Sequence, residues 1–210
     1  ISTYNGLRGT SGDGNRTLWN TSISYPLMGS YWFITPKITY SLTHYNDIKH
    51  ARAEIDKSST RSLPIYSLDT GLIFERNSTV FGRETEQTLE PRLFYAYIPY
   101  RNQRHMPNFD SSSADLNFAE LFTPNKYTGF DRIANTNQLS AVLTTRYIDS
   151  GTGKEWFSAT VGQRYYFTDE KVDLYWSNPG KTKNRSDVLA ASQFSLFEGW
   201  RLEGAIQYST

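Results

Sequence analysis

Three histidines, His44, His50 and His105, are the only imidazoles in the chain. An imidazole can act as a general base or a metal ligand, but a metal site needs three or four donors converging on one point. Two of the three fall at or within a polar loop stretch, and no cysteine is present to join them. The simpler reading is exposed loop histidines, so no metal or other cofactor is expected. The absence of cysteine also removes disulfides and thiolate chemistry from this chain.

Two glycine-rich stretches invite a phosphate reading. SGTGKE (150–155) lacks the upstream glycine of a phosphate loop and the hydroxyl residue after Lys154, so it reads as a hairpin turn. GTSGDGN (9–15) lacks the strand and helix that a dinucleotide fingerprint requires. No nucleophile elbow and no paired-carboxylate motif is visible. The sequons at Asn20, Asn77 and Asn184 are what chance supplies in a chain rich in Asn, Ser and Thr. An enzyme is therefore not expected.

The remaining chemistry is carried by charges at alternating positions, so the elements that hold them decide what they do. Aromatics make up 15% of the 210 residues, with 15 Tyr against 2 Met. That balance suits strands better than a helical bundle. The net charge of +1 gives no field to recruit nucleic acid. The longest apolar run, LFYAYI (93–98), is far short of the roughly 20 residues a membrane helix needs. A helical membrane protein is excluded, whereas a membrane β-barrel is not, because its strands are apolar on one face only. The chain begins at Ile1 with no signal-peptide pattern, so any export signal is expected to be removed or to lie outside it.

Period-two alternation is the dominant signal. Trp32, Ile34, Pro36, Ile38, Tyr40 and Leu42 share one side of Tyr31–Tyr45, opposite Thr35, Lys37, Thr39, Ser41 and Thr43, with Phe33 as the exception. The same pattern runs through Ile65–Glu75, Trp156–Phe167 and the segment from Trp200. Further strands are expected at Thr17–Pro26, Thr85–Arg101, Gln138–Asp149 and Asp187–Phe197, with a partial one at Ile1–Arg8. A turn of helix is expected at Leu116–Phe122. Short connections alternate with long ones at Asn46–Leu63, Asn102–Asn137 and Thr168–Ser186. Trimmed turns on one rim and long loops on the other describe an outer-membrane barrel. Trp32, Trp156 and Trp200 follow short turns, while Tyr45, Tyr97, Tyr100, Tyr147, Tyr165 and Phe167 are assigned to the approaches to long loops, giving two aromatic levels suited to membrane interfaces. The pattern favours an all-β, antiparallel up-and-down transmembrane barrel, with about nine strands of a larger barrel. A soluble sandwich with an aromatic core remains the alternative. Alternation places Lys37, Asp69, Glu75, Glu90, Arg92, Arg146, Arg164, Arg201 and Glu203 toward the lumen.

Four ordered motifs carry a resemblance: LEPRLFYAYIPYRNQ (89–103), PNFDSS (107–112), GFDRIANTNQ (129–138) and VGQRYYF (161–167). Together they closely resemble the C-terminal barrel of the LptD (OstA/Imp) family of lipopolysaccharide-assembly outer-membrane proteins of Gram-negative bacteria. The resemblance implies a very large barrel plugged by an LptE-like lipoprotein and fed with lipopolysaccharide by a periplasmic Lpt bridge through an N-terminal domain. Release through a seam between the first and last strands, into outer-membrane lipid, is likewise implied. It marks Asp110, Asp131, Arg132 and Asn137 as loop residues of the motifs. The family's cysteines and periplasmic domain are missing here, and the chain reads as a middle portion of the barrel, residues 1–210. A passive diffusion porin is the competing function, because the same charges suit an open channel.

Overall fold

The computed structural model describes residues 2–9, 12–49, 53–80, 82–174, 183–197 and 199–209. Alternating apolar and polar side chains produce strands because successive residues point to opposite faces of a sheet. The strands are β1 (Ser2–Gly9), β2 (Gly12–Ser24), β3 (Leu27–Met28), β4 (Trp32–Lys49), β5 (Ser59–Leu72) and β6 (Phe74–Val80). They are followed by β7 (Arg83–Ile98), β8 (Thr136–Asp149), β9 (Glu155–Tyr166), β10 (Val188–Phe197) and β11 (Trp200–Tyr208). All neighbours pair antiparallel in one sheet of order β1-β2-β4-β5-β7-β8-β9-β10-β11, with β3 on β4 and β6 on β7. This is the up-and-down all-β architecture that alternation predicts. Among the described residues β1 and β11 end the path without pairing, so the sheet is open.

One face is predominantly apolar. Ile34, Ile38, Leu68, Leu93, Leu143, Val161 and Ile206 are all exposed on it. Trp19, Tyr40, Tyr66, Tyr97, Tyr165 and Phe167 lie toward one rim, and Tyr31, Trp32, Phe74 and Trp200 toward the other. Such a face is unsatisfactory in water and suited to lipid. No helix among the described residues is long and apolar enough to cross a membrane.

Three irregularities shape the sheet. The first is a break at Ile73, which separates β5 from β6; its N–H donates to Tyr31 O at 2.8 Å instead of continuing the ladder. Pro91 sits opposite this break, where β7 changes partner from β5 at Arg92↔Gly71 to β6 at Leu89↔Phe74. A proline has no N–H to offer a ladder, so it is tolerated where pairing lapses. The second is a register shift between Tyr147 and Ile148, which sets Trp156 as an extra residue against Tyr147↔Phe157. A bulge of this kind turns neighbouring side chains to one side. Trp156 and Phe157 accordingly both pack on Tyr147, with ring centroids 5.5 and 5.7 Å away. Tyr147 thus belongs to the short-turn rim, contrary to its expected place near a long loop. The third is Phe33, the exception to alternation. It lies over Gly71, where an added Cβ would stand 2.5 Å from its ring.

Candidate functional site: a loop locked onto the polar face

The connection between β7 and β8 is a folded structure that docks on the face opposite the apolar one. Its short 3-10 turn, Glu120–Phe122, is tighter and later than the expected helical turn. Leu121, fully buried, packs against Val142 and Leu189 with Leu116, Phe118 and Phe122 beside it. Phe109 joins Tyr45, Ile48 and Met106. Ile133 joins Leu63 and Ile98. Phe130 stays exposed.

Asp131 is the hub of the dock and is fully buried. Its Oδ1 accepts from Arg16 Nη1 at 2.9 Å and from the Tyr45 hydroxyl at 2.7 Å. Its Oδ2 accepts from the backbone N–H groups of Phe109 at 2.6 Å and Asp110 at 2.9 Å. Four donors saturate the carboxylate. Asp110 completes the arrangement, accepting from Arg16 at 2.8 Å and from Phe130 N–H at 3.0 Å. Gly129 makes this turn feasible: its φ is +70° and a Cβ there would stand 2.5 Å from Asp110 O.

The wall grips the same stretch from a second side. Arg61 on β5 donates to Asp131 O at 2.7 Å, Phe130 O at 2.6 Å, Gln103 Oε1 at 2.9 Å and Thr43 Oγ1 at 3.1 Å. Arg132 turns inward within the loop, donating to Pro107 O and Met106 O, each at 2.9 Å. Burial alone pushes the Asp131 carboxyl up, but hydrogen bonds to Asp110, Tyr45 and Arg16 together hold it below the ordinary carboxylate range. Burial and the neighbouring Asp131 raise Asp110 instead. Burial lowers Arg132, offset in part by nearby Tyr45 and Asp131.

The wall charges form two further groups. Arg92 makes a two-bond pair with Asp69, at 2.9 and 2.6 Å, and its guanidinium lies 3.7 Å from the centroid of Phe122 in the loop. Arg146 bridges Glu90 at 3.0 Å and Glu155 at 2.9 Å. The bulge puts Glu155 on this face, which simple alternation from Phe157 does not reveal. Arg164 is only 3% exposed and is held beneath the loop, donating to Glu120 O, to Thr123 O at 3.3 Å and to Ser140 Oγ at 3.3 Å. It lies beneath the loop rather than facing an open channel. Arg201 and Glu203 lie 3.4 Å apart on the exposed strand β11. Lys37 and Glu75 are exposed and make no ion pair among the described residues.

Asn137 corrects the expected loop boundary. The strand β8 starts at Thr136, and Asn137 Oδ1 accepts from the Tyr95 hydroxyl at 2.9 Å on the apolar side. Ladder pairing with Tyr97 draws this motif residue into the strand. Tyr45 is corrected too: it lies on the loop side, fully buried, not in an aromatic rim. SGTGKE is a turn organised by Asp149 Oδ1, which accepts from Gly151 and Thr152 N–H. His44 meets Thr60 and His105 meets Glu54 O, while His50 lies outside the described residues. No cluster of three potential metal ligands occurs among the described residues.

Arg16, Tyr45 and Arg61 were not legible as site residues. Each is an ordinary inward position on its strand, and only their convergence on a residue up to 115 positions away distinguishes them.

Comparison with known proteins supplies the family. The family model for LptD, LPS transport system D, matches residues 3–210. An LPS-assembly protein LptD of Paraburkholderia xenovorans is 42% identical over 98% of this chain and 27% of its own length. That of Thiobacillus denitrificans is 40% identical over 96% of the chain and 27% of its own length. That of Aromatoleum aromaticum is 44% identical over 94% and 25%. The chain spans about a quarter of the length of these curated relatives. It belongs to the LptD family.

Proposed function

We propose that residues 1–210 are one section of the outer-membrane β-barrel of a lipopolysaccharide-assembly protein, and that the whole protein inserts lipopolysaccharide into the outer leaflet. The observation that carries this reading is the match along 98% of the chain to a protein named for LPS assembly. The two faces suit the role: exposed Leu93, Leu143 and Val161 meet lipid, and the charged face meets water, a solute or a plug. Arg92 and Arg146, partly exposed beside Asp69, Glu90 and Glu155, are the wall positions best placed to meet a phosphorylated sugar or an LptE-like lipoprotein. Lys37, Glu75, Arg201 and Glu203 are accessible for the same contacts. A periplasmic Lpt bridge delivering lipopolysaccharide through an N-terminal domain completes the proposal.

A diffusion porin is the second reading, since a charged wall also suits an open aqueous channel. The docked loop speaks against it, because side chains of residues 103–133 occupy the face that a pore must leave free. Depletion of the full-length protein separates the two. A translocon leaves newly made lipopolysaccharide in the inner membrane and periplasm while small-solute uptake persists. A porin gives the reverse, with uptake reduced and lipopolysaccharide still reaching the surface.

A further inference from the structure

The loop covers buried guanidinium groups of the wall at two places, and only one of the two holds carboxylates. At the Asp131 hub Arg16 faces the carboxylates of both Asp131 and Asp110, and Arg61 beside it donates to neutral acceptors that include the carbonyl of Asp131 itself. At the other end Arg164 is just as buried, yet its partners are only the carbonyls of Glu120 and Thr123 and the Ser140 hydroxyl. No carboxylate pairs with it among the described residues. A buried charge held by neutral dipoles alone retains much of its desolvation cost.

Packing repeats the contrast. Around the hub the Asp131 carboxylate is saturated by four donors, although Arg16 and Arg61 each bury an Nε that makes no hydrogen bond. Beneath Phe118 and Phe122 lies a half-open cavity of about 350 Å³, bounded on the wall by Phe33, Arg92, Val142 and Arg146. At this end Phe122 packs under Arg92 and meets Phe94 edge-on, and Leu121 fills its place. It enters a notch that exists because residue 162 has no side chain: a Cβ at Gly162 would stand 2.7 Å from Leu121 Cδ1 and 2.9 Å from Val142 Cγ2. Regions with few engaged contacts open at lower free energy than their surroundings.

We propose that residues 115–122 form a flap that opens as a unit while the Asp131 hub keeps the remainder of the loop docked. Opening lifts Leu121 from the Gly162 notch, returns Arg164 to water and uncovers the Arg92 and Arg146 wall. The closed flap is thus held by Leu121 in its notch and by Phe122 against Arg92 and Phe94, and opposed by one buried cation. The two carbonyls that Arg164 touches do not depend on it. Glu120 O also accepts from Thr123 N–H at 3.1 Å, and Thr123 O from Gln138 Nε2 at 3.1 Å.

The test is amide hydrogen exchange on the full-length protein in lipid nanodiscs, read at Leu121, Phe122 and Thr123, whose N–H groups bond within the flap, and at Phe109, Asp110 and Asp131 in the hub. In Gly162→Val, or in Leu121→Ala should the first variant assemble poorly, flap exchange rises by roughly tenfold or more, the equivalent of about 1.4 kcal/mol, while the hub keeps its rate. In Arg164→Met, flap exchange slows, because a buried cation with no carboxylate partner among the described residues is replaced by an apolar chain of similar length. Flap and hub accelerating together in Gly162→Val and Leu121→Ala overturns the proposal. So does faster flap exchange in Arg164→Met, which makes Arg164 an anchor instead of an opposing charge.

Discussion

Replacing Asp131 with Ala releases the loop between β7 and β8 from the wall and costs roughly 3–5 kcal/mol, the range for breaking one side of a buried charge pair. The low end applies, since Arg16 keeps Asp110 at 2.8 Å. Asn is no milder a substitution. Asp131 accepts two donors on each oxygen, and an amide offers a single acceptor oxygen, so its NH₂ faces donors in either orientation. Hydrogen exchange across residues 107–133 in the assembled barrel measures the effect, and unchanged protection in both variants refutes the hub. The pH dependence has a definite sign. The Asp131 carboxyl is held below its ordinary range, so its contribution is complete above that range and is lost as pH falls through its lowered folded value. Asp110 is raised, so acidification from neutrality protonates it first and favours the folded loop. Protection therefore persists into mild acid and fails only below about pH 4, the ordinary aspartate value.

The second large effect separates the two faces of β7. Leu93 lies in a row with Ile34, Thr70 and Ala141, at mid-height between the aromatic rims. Arg at this position puts a charge in hydrocarbon and destabilises the barrel by roughly 2–4 kcal/mol. Its neighbour gives a different result. Arg92→Leu leaves Asp69 without its partner and removes the contact with Phe122, but both charged side chains are partly exposed to water. The expected loss is about 1 kcal/mol or less, as for other accessible ion pairs. Urea unfolding of the two variants in lipid bilayers compares them directly. Equal losses, or a greater loss for Arg92→Leu, invert the assignment of faces.

Alternation along β4, β7 and β9 is a local property with a period of two residues, and a half-buried strand cannot slip by one residue without turning its apolar side chains into the wrong environment. The strands, their faces, the inward direction of Asp69, Arg92 and Arg146, and the family motifs could therefore be read directly from the amino-acid order. Strand ends were less legible. Asp13–Arg16 and Ser59–Pro64 join the sheet because their partners Tyr45–Lys49 and Tyr40–Tyr45 extend it, which no propensity within those segments indicates. Asn137 enters β8 for the same reason. The bulge at Trp156 and the break at Ile73 arise from mismatches between two strands, so neither strand alone encodes them. The lock was wholly a matter of tertiary structure. Arg16, Tyr45 and Arg61 lie 115, 86 and 70 residues from Asp131. Nothing in their own neighbourhoods differs from any inward polar position of a strand. Strand pairing lines them up on one face, and the turn at Gly129 brings Asp131 down onto them. A charged residue of a loop becomes a buried hub only when its donors arrive from three separate strands.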